Sequence, residues 1–125
     1  MRLLLDTQIV YWLFYEQRNV PSGARVLIEE ADEFFVSAVS IWEIAIKVRI
    51  GKMKADPRRL VERLDTAGFD ELPVLSRHAM LVAEMPLYHS DPFDRLLVAQ
   101  AESEQLNLIT ADALLKQYSE LVIQV

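Results

Sequence analysis

The sequence predicts an α/β protein, a three-layer α/β/α sandwich around a central parallel sheet of about five strands. Three observations support this fold class. Apolar runs of strand length alternate with segments of helical periodicity along the chain. Those runs lack alternating polar residues, as is typical of strands covered on both faces. Finally, 125 residues of which 52% are apolar can bury a conventional core, so we expect a single domain spanning residues 1–125.

The first half of the chain supplies two strands and three helices. Strands are predicted at Arg2–Leu5 and Phe34–Ser37, and helices at about Ile9–Tyr15, Ser22–Glu30 and Ala38–Ile50. Ser22 is expected to cap the second helix, and Gly51 to end the third, where a left-handed residue is favoured. The first helix is apolar on all sides, so we expect some of its aromatic residues to contact another chain.

The second half of the chain repeats the alternation. It is predicted to contain helices at Pro57 to about Ala67, at Ser76–Glu84 and from Pro92, a short helix from Asp112, and strands at Glu71–Leu75, Leu106–Thr110 and Leu121–Val125. The helix from Pro92 has the clearest start, because Asp91 occupies the N-cap position, Pro92 the first helical position and Asp94 the first turn.

Asp94 lies on a helix that has almost no polar face. Leu97 and Val98 share its side of the helix, so its carboxylate is expected to be buried. A buried carboxylate requires a cation, a metal ion or a raised pKa. Because the sequence offers mainly other acids here and few cations, it favours a metal ion.

Three further acids can reach the same end of the sheet. Asp6 and Asp112 follow strands, and Glu43 lies in the second turn of a helix that follows another strand. In such sheets, ligands bind outside the carboxyl ends of the strands. Structural roles are also open: Asp6 and Asp112 can cap helices, and Asp94 can complement a helix dipole. Glu43 can form an ion pair with Lys47.

The charge distribution bears on the partner. The net charge of −6 argues mildly against a nucleic-acid partner. Residues 47–63, however, contain seven basic and two acidic side chains, a local charge of +5 against −11 on the remainder. This basic segment is either an ordinary solvated surface or a basic patch that faces an otherwise acidic body.

Other side chains give weaker signals. His89 is interpreted as a solvated loop residue that could touch substrate, and His78 as a surface residue or core filler. Arg95 could hold a phosphate or form a surface ion pair. The absence of Cys fits a reducing compartment, and no signal peptide or membrane-spanning run is present. We therefore expect a cytoplasmic protein without a membrane partner.

Four stretches carry a family resemblance: LLLDT near the start, VSAVSIWEIAIKVRIGK, HSDPFDRLLVAQA and LITAD. In this order and spacing they resemble the PIN-domain ribonucleases, specifically the VapC-type toxins of prokaryotic toxin–antitoxin pairs. The resemblance implies that Asp6, Glu43 and Asp94 form the acidic triad of the active site, with Asp112 as its less constant fourth member. It also implies a Mg²⁺- or Mn²⁺-dependent endoribonuclease that a cognate VapB-type antitoxin holds inactive, usually as a dimer.

An all-oxygen ligand set favours Mg²⁺ or Mn²⁺ over Zn²⁺. Our hypothesis is that Asp6 and Asp94 hold the metal directly, while Glu43 and Asp112 act through water or a second ion. The candidates for contacting substrate are Thr7, Lys47 and Arg95. Two alternatives stay open: a catalytically silent binding module that acts through its antitoxin complex, and a metal-dependent DNA nuclease or phosphatase.

Overall fold

The computed structural model describes residues 1–125 and contains one sheet in which every neighbouring pair of strands is parallel. The strands, β1 to β5 in chain order, are Arg2–Leu5, Glu33–Ser37, Asp70–Leu72, Asn107–Thr110 and Val122–Gln124. They lie in the order β3-β2-β1-β4-β5. The predicted parallel sheet of about five strands is confirmed.

Helices cover both faces of this sheet. The helices, α1 to α6 in chain order, are Thr7–Tyr15, Ser22–Glu30, Ala38–Arg49, Pro57–Thr66, Ser76–Val82 and Pro92–Glu104, and two 3₁₀ turns lie at Gln17–Asn19 and Ala113–Gln117. Helices α1 to α4 contribute to the core on one face, and α6 to the core on the other, with α5 packed against α6. The predicted three-layer sandwich is therefore confirmed. None of the helices combines the length and the apolar character needed to cross a bilayer.

Strand β1 lies at the centre of the sheet and belongs to both cores. The side chains of Leu3 and Leu5 belong to the core that contains Ile44, and the side chain of Leu4 belongs to the core that contains Val98. This division follows from the two-residue period of a strand, in which successive side chains point to opposite faces. It explains why the run is apolar without alternation.

Some element boundaries differ from those predicted. Strand β3 ends at Leu72 instead of Leu75; the next residue is Pro73, which has no N–H to donate to a ladder. Ser22 was expected to cap α2, but it is the first helical residue, and no side chain caps this helix. Gly51 does have a positive φ of 78°, as its predicted position after the third helix requires.

The aromatic residues of α1 pack largely within the chain. Tyr11 is buried, and its ring stacks on that of Tyr15 with centroids 5.5 Å apart. Phe14 meets Phe69 edge to face, and the guanidinium of Arg63 lies 5.1 Å from the centroid of the Phe14 ring. These contacts account for part of the apolar character of the helix. Trp12, Phe14 and Tyr15 stay only partly buried, so our expectation that some of these aromatic residues contact another chain stays a prediction.

The topology creates a crevice beside β1. From β1 the chain builds β2 and β3 on one side of the sheet and then crosses to build β4 and β5 on the other side. The strand order therefore reverses at β1. Ligands of α/β sheets bind at such a reversal, outside the carboxyl ends of the strands. Asp6 directly follows β1, Thr110 ends β4, and Asp112 comes two residues later. The backbone N–H of Asp6 donates to the carbonyl of Ile109 at 3.1 Å, which joins these strand ends.

Candidate active site

A cavity of about 320 Å³ opens at the carboxyl ends of β1 and β4. All four acids chosen from the sequence line it, and so do Thr7 and Lys47, two of the three substrate candidates. The lining residues are Asp6, Thr7, Gln8, Glu43, Lys47, Asp91, Asp94, Ala111 and Asp112. Five carboxylates and one ammonium group therefore face a single small cavity, a concentration of negative charge that favours a bound cation or raised pKa values.

Asp6 has both a structural and a chemical role in this arrangement. Its Oδ1 accepts from the backbone N–H of Ile9 at 2.9 Å, which caps α1, and its Oδ2 accepts from the hydroxyl of Thr110. Burial raises the pKa of Asp6 to about 6, and the charge of Glu43 adds to the rise, although the hydrogen bonds oppose it. The cap and the cavity-lining residue are thus the same side chain.

Glu43 is buried on α3, with one oxygen paired and one free. The Nζ of Lys47 lies 2.9 Å from Glu43 Oε2, so the predicted ion pair across one helical turn is confirmed. Oε1 is buried and has no hydrogen-bond partner. Because an unpaired buried carboxylate oxygen is costly, this atom is a free ligand position for a cation or a water molecule.

Asp94 has a strongly perturbed carboxyl group. Burial, above all, raises the pKa of Asp94 to about 7. The negative charges of Asp91, Asp6 and Glu43 add to this rise in pKa. His89 opposes it. Asp91 caps α6 through its Oδ1, as predicted. It also lines the cavity, which we did not expect.

Asp112 and His89 meet at the rim of the cavity. Asp112 Oδ1 accepts from the backbone N–H of Leu114 at 2.9 Å and caps the 3₁₀ turn that follows β4. His89 Nε2 lies 3.0 Å from Asp112 Oδ2 and 3.3 Å from Asp94 Oδ2. Our interpretation of His89 as a solvated loop residue was wrong: its side chain is only 17% exposed.

The three substrate candidates have different positions. Thr7 and Lys47 line the cavity, and the Thr7 hydroxyl donates to Ser40 at 2.9 Å. Arg95 does not line it and forms no ion pair with a carboxylate, so the expected surface ion pair is not present, while a contact with substrate stays a prediction. Its guanidinium donates to the carbonyls of Pro86 and Val82 at 2.8 and 3.1 Å, because its phase on α6 directs it toward the end of α5.

The donor set fits a hard divalent cation. Carboxylate oxygens are the ligands that Mg²⁺ and Mn²⁺ prefer. Oε1 of Glu43 has no partner, and burial, with a smaller contribution from neighbouring carboxylates, raises the pKa of Asp6 and Asp94. The ionised carboxylates are therefore unfavourable here unless a cation stabilises them. One ligand atom each from His89, Asp94 and Asp112 also lie within 4.8 Å of one another, close enough for a single ion.

Larger cavities elsewhere lack such chemistry. One of about 400 Å³ lies between α4 and the β2–β3 edge, lined mainly by apolar residues such as Val36, Leu64 and Phe69. Its acids, Glu62 and Asp65 among them, are exposed and have ordinary surface surroundings. Volume alone would select a cavity of about 530 Å³ that is lined by residues such as Leu81, Met85 and Val98. The convergence of buried polar groups instead favours the smaller cavity as the candidate site.

Fold and site together define a class of protein. The family model of the PIN domain matches residues 3–121, so the chain belongs to the PIN-domain family. Within that family it is 31% identical over 122 residues to Ribonuclease VapC22 of Mycobacterium tuberculosis (strain ATCC 25618 / H37Rv), an alignment that covers 93% of this chain and 91% of that protein. The resemblance to VapC-type proteins is thereby confirmed.

Solved structures share the fold over their whole length. VapBC2 from Rickettsia felis, bound to a DNA fragment from its promoter, gives a TM-score of 0.69 at 15% identity and covers 100% of this chain and 98% of its own. A toxin–antitoxin complex from Klebsiella pneumoniae gives 0.65 at 20% identity, with 98% and 96% covered. At these identities the likeness establishes the fold.

Proposed function

We propose that this chain is a Mg²⁺- or Mn²⁺-dependent endoribonuclease, the toxin of a type II toxin–antitoxin pair. The observation that carries the proposal is the cavity that Asp6, Glu43, Asp94 and Asp112 line together, in which Oε1 of Glu43 has no partner. The relation to a protein named as a ribonuclease supports RNA as the substrate. We place the activity in the cytoplasm, where RNA is available.

The metal would be held by carboxylate oxygens. We assign direct ligation to Asp6 and Asp94, and contact through water or a second ion to Glu43 and Asp112. A bound divalent ion supplies a lowered pKa for the attacking water and neutralises charge that develops on the scissile phosphate.

The other groups of the cavity bind and orient the reactants. The free Oε1 of Glu43 can accept a hydrogen bond from the attacking water and fix its direction. The Lys47 ammonium holds Glu43 Oε2 at 2.9 Å and is the one positive group of the cavity lining, so it can also contact a phosphate oxygen. The basic segment that begins at Lys47 guides the RNA backbone toward an otherwise repellent acidic cavity.

Two protein partners belong to the proposal. Proteins of this fold have been solved as toxin–antitoxin complexes, which supports a VapB-type antitoxin for this chain. For a homodimer, we assign the outer face of α3 and the residue that caps its end. There Trp42, Ile46 and Ile50 recur every four residues and are 60%, 37% and 58% exposed. A Trp42→Glu variant should shift the protein to monomer in light scattering, whereas Val26→Glu, at a 50% exposed position of α2, should not.

The activity is tested with purified chain, labelled RNA and labelled DNA, each in Mg²⁺, Mn²⁺ or EDTA. We expect cleavage of RNA within the strand in either metal and none in EDTA. Cleavage of DNA instead would favour the DNA nuclease, and release of terminal phosphate alone would favour the phosphatase. If no substrate is cleaved but an antitoxin still binds, the chain is a silent binding module.

Matched variants connect the activity to the cavity. Asp94→Asn keeps the size of the side chain and removes its charge, so it should abolish cleavage while leaving the fold intact. Asp70→Asn makes the same change at an exposed position of β3 and should cleave like the unmodified chain. Full activity in Asp94→Asn would reject the assignment.

A further inference from the structure

His89 occupies a defined position between two of the cavity acids. It lies in the segment between α5 and α6, and its side chain is largely buried. Nε2 hydrogen-bonds Asp112 Oδ2 at 3.0 Å and lies 3.3 Å from Asp94 Oδ2. The two acids belong to different parts of the fold, Asp94 to α6 and Asp112 to the turn after β4, so His89 is a direct link between them.

The backbone determines which ring nitrogen carries the proton. Nδ1 of His89 accepts a hydrogen bond from the N–H of Asp91 at 3.1 Å, which uses its lone pair. A neutral imidazole has one donor and one acceptor nitrogen, so the proton of His89 is on Nε2. Nε2 therefore donates, and Asp112 accepts.

The segment that presents His89 is itself anchored. The hydroxyl of Tyr118 accepts from the backbone N–H of His89 at 2.8 Å and from Arg95 at 3.1 Å. Arg95 in turn donates to the carbonyl of Pro86 at 2.8 Å. This network gives Arg95 a structural role and fixes both the backbone and the ring of His89.

We propose that His89 is a positioning residue of the metal site, which as a neutral Nε2–H donor holds the Asp112 carboxylate beside that of Asp94. The proposal rests on the proposed function, since it assigns His89 to the same cavity. Each carboxylate of a metal site must be oriented by hydrogen bonds from the surrounding protein, and His89 supplies such a bond to the acid on the loop after β4. Without it, Asp112 would keep only its capping bond to Leu114.

A direct metal–His89 bond is the competing arrangement. The ligand atoms of His89, Asp94 and Asp112 are close enough to share one ion. Ligation by Nε2, however, requires a lone pair on that nitrogen, and the N–H of Asp91 assigns the lone pair to Nδ1. The two arrangements therefore differ in the position of one proton.

The first experiment reads that proton by NMR. Two-bond ¹H–¹⁵N correlation spectra of the ¹⁵N-labelled chain distinguish protonated from unprotonated ring nitrogens. We expect His89 to be the Nε2–H tautomer without metal and to remain so when Mg²⁺ saturates the site. A proton on Nδ1 in either state would overturn the proposal in favour of ligation.

The second experiment measures Mn²⁺ affinity by isothermal titration calorimetry. His89→Ala should bind Mn²⁺ about 10- to 100-fold more weakly, as removal of a group that orients metal ligands typically does. His89→Gln retains an N–H donor and should recover most of the affinity. Leu87→Ala, in the same segment and 78% exposed, is the matched control and should bind normally.

Each result decides the question. Unchanged affinity in His89→Ala would overturn the proposal, and so would an equal loss in His89→Ala and His89→Gln, because the donor would then not matter. If His89→Ala fails to fold by circular dichroism, His89→Gln and the tautomer of the unmodified chain still decide. Neither measurement involves RNA, so failure of the positioning role and failure of the ribonuclease activity are separate outcomes.

Discussion

The metal-free protein should lose stability as the pH rises, and Asp6 should cause a defined part of that loss. Burial raises the pKa of Asp6 from 3.8 to about 6 in the folded chain. The folded state therefore holds this proton more tightly than the unfolded state. The resulting stabilisation is fully present below the unfolded pKa and is lost as the pH rises through the folded pKa.

The size of the effect follows from the two pKa values. They differ by about two pKa units, and each unit corresponds to about 1.4 kcal/mol, so ionising Asp6 should cost up to about 3 kcal/mol of unfolding free energy. Asp6→Asn keeps an oxygen that can accept from Ile9 and removes the ionisation. Relative to the unmodified chain, this variant should gain up to about 3 kcal/mol between about pH 4 and about pH 8.

Urea unfolding in EDTA at a series of pH values measures this difference directly. Other groups titrate as well, but they are common to both chains, so the comparison isolates Asp6. Saturating Mg²⁺ should reduce the difference at neutral pH, because the ion stabilises the charged carboxylates. If the two free energies keep a constant difference from about pH 4 to about pH 8 in EDTA, the carboxyl group is not perturbed and the reasoning fails.

Three further predictions follow from single contacts. Glu43→Gln should abolish RNA cleavage without lowering the urea midpoint, since it removes a buried negative charge whose Oε1 has no partner and leaves the partly exposed Lys47 ammonium to be hydrated; a large loss of stability would show that the ion pair with Lys47 is structural. Lys47→Ala should raise KM for RNA and reduce the salt dependence of binding by about 0.7 in logarithmic slope, the value for one phosphate contact to a single strand; an unchanged slope in fluorescence anisotropy would remove Lys47 from the RNA path. Gln100→Ala should cost about 2–4 kcal/mol in chemical unfolding, because it leaves the buried hydroxyl of Ser37 and the carbonyl of Pro73 without their partner; a loss below about 0.5 kcal/mol would mean that water replaces the amide.

The sequence contains most of the fold because its local signals agree with the tertiary structure. The continuous apolar run Leu3–Leu5 marks a strand buried on both faces, and Asp91 with Pro92 marks the start of α6 within one residue. Where local signals conflict, prediction failed. Strand β3 ends before Pro73, although the apolar residues after Pro73 had indicated a longer strand. Ser22 is a residue type that often caps helices, but it is the first residue of α2 and does not cap it.

The site was predictable as far as it depends on topology. Asp6 and Asp112 follow adjacent parallel strands, so their meeting requires only the sheet order; their catalytic role stays a prediction. His89 could not be placed, because its contact with Asp112 joins two loops 23 residues apart with no periodic relation. The only local signal was its position two residues before the cap of α6. The position of Arg95 follows from helical phase: its neighbour Asp94 faces the cavity, whereas Arg95 points toward Pro86.

The hydrogen bond between Thr110 and Asp6 joins residues 104 positions apart in the sequence. Thr110 is the last residue of β4, the strand that completes the crevice beside β1. A ribosome that has translated as far as Gln100 has made three of the four acids but not this strand. Its nascent chain cannot yet assemble the cavity, because β1 still lacks one of its two neighbours. The proposed nuclease can therefore form its site on the ribosome only after β4 has left the exit tunnel.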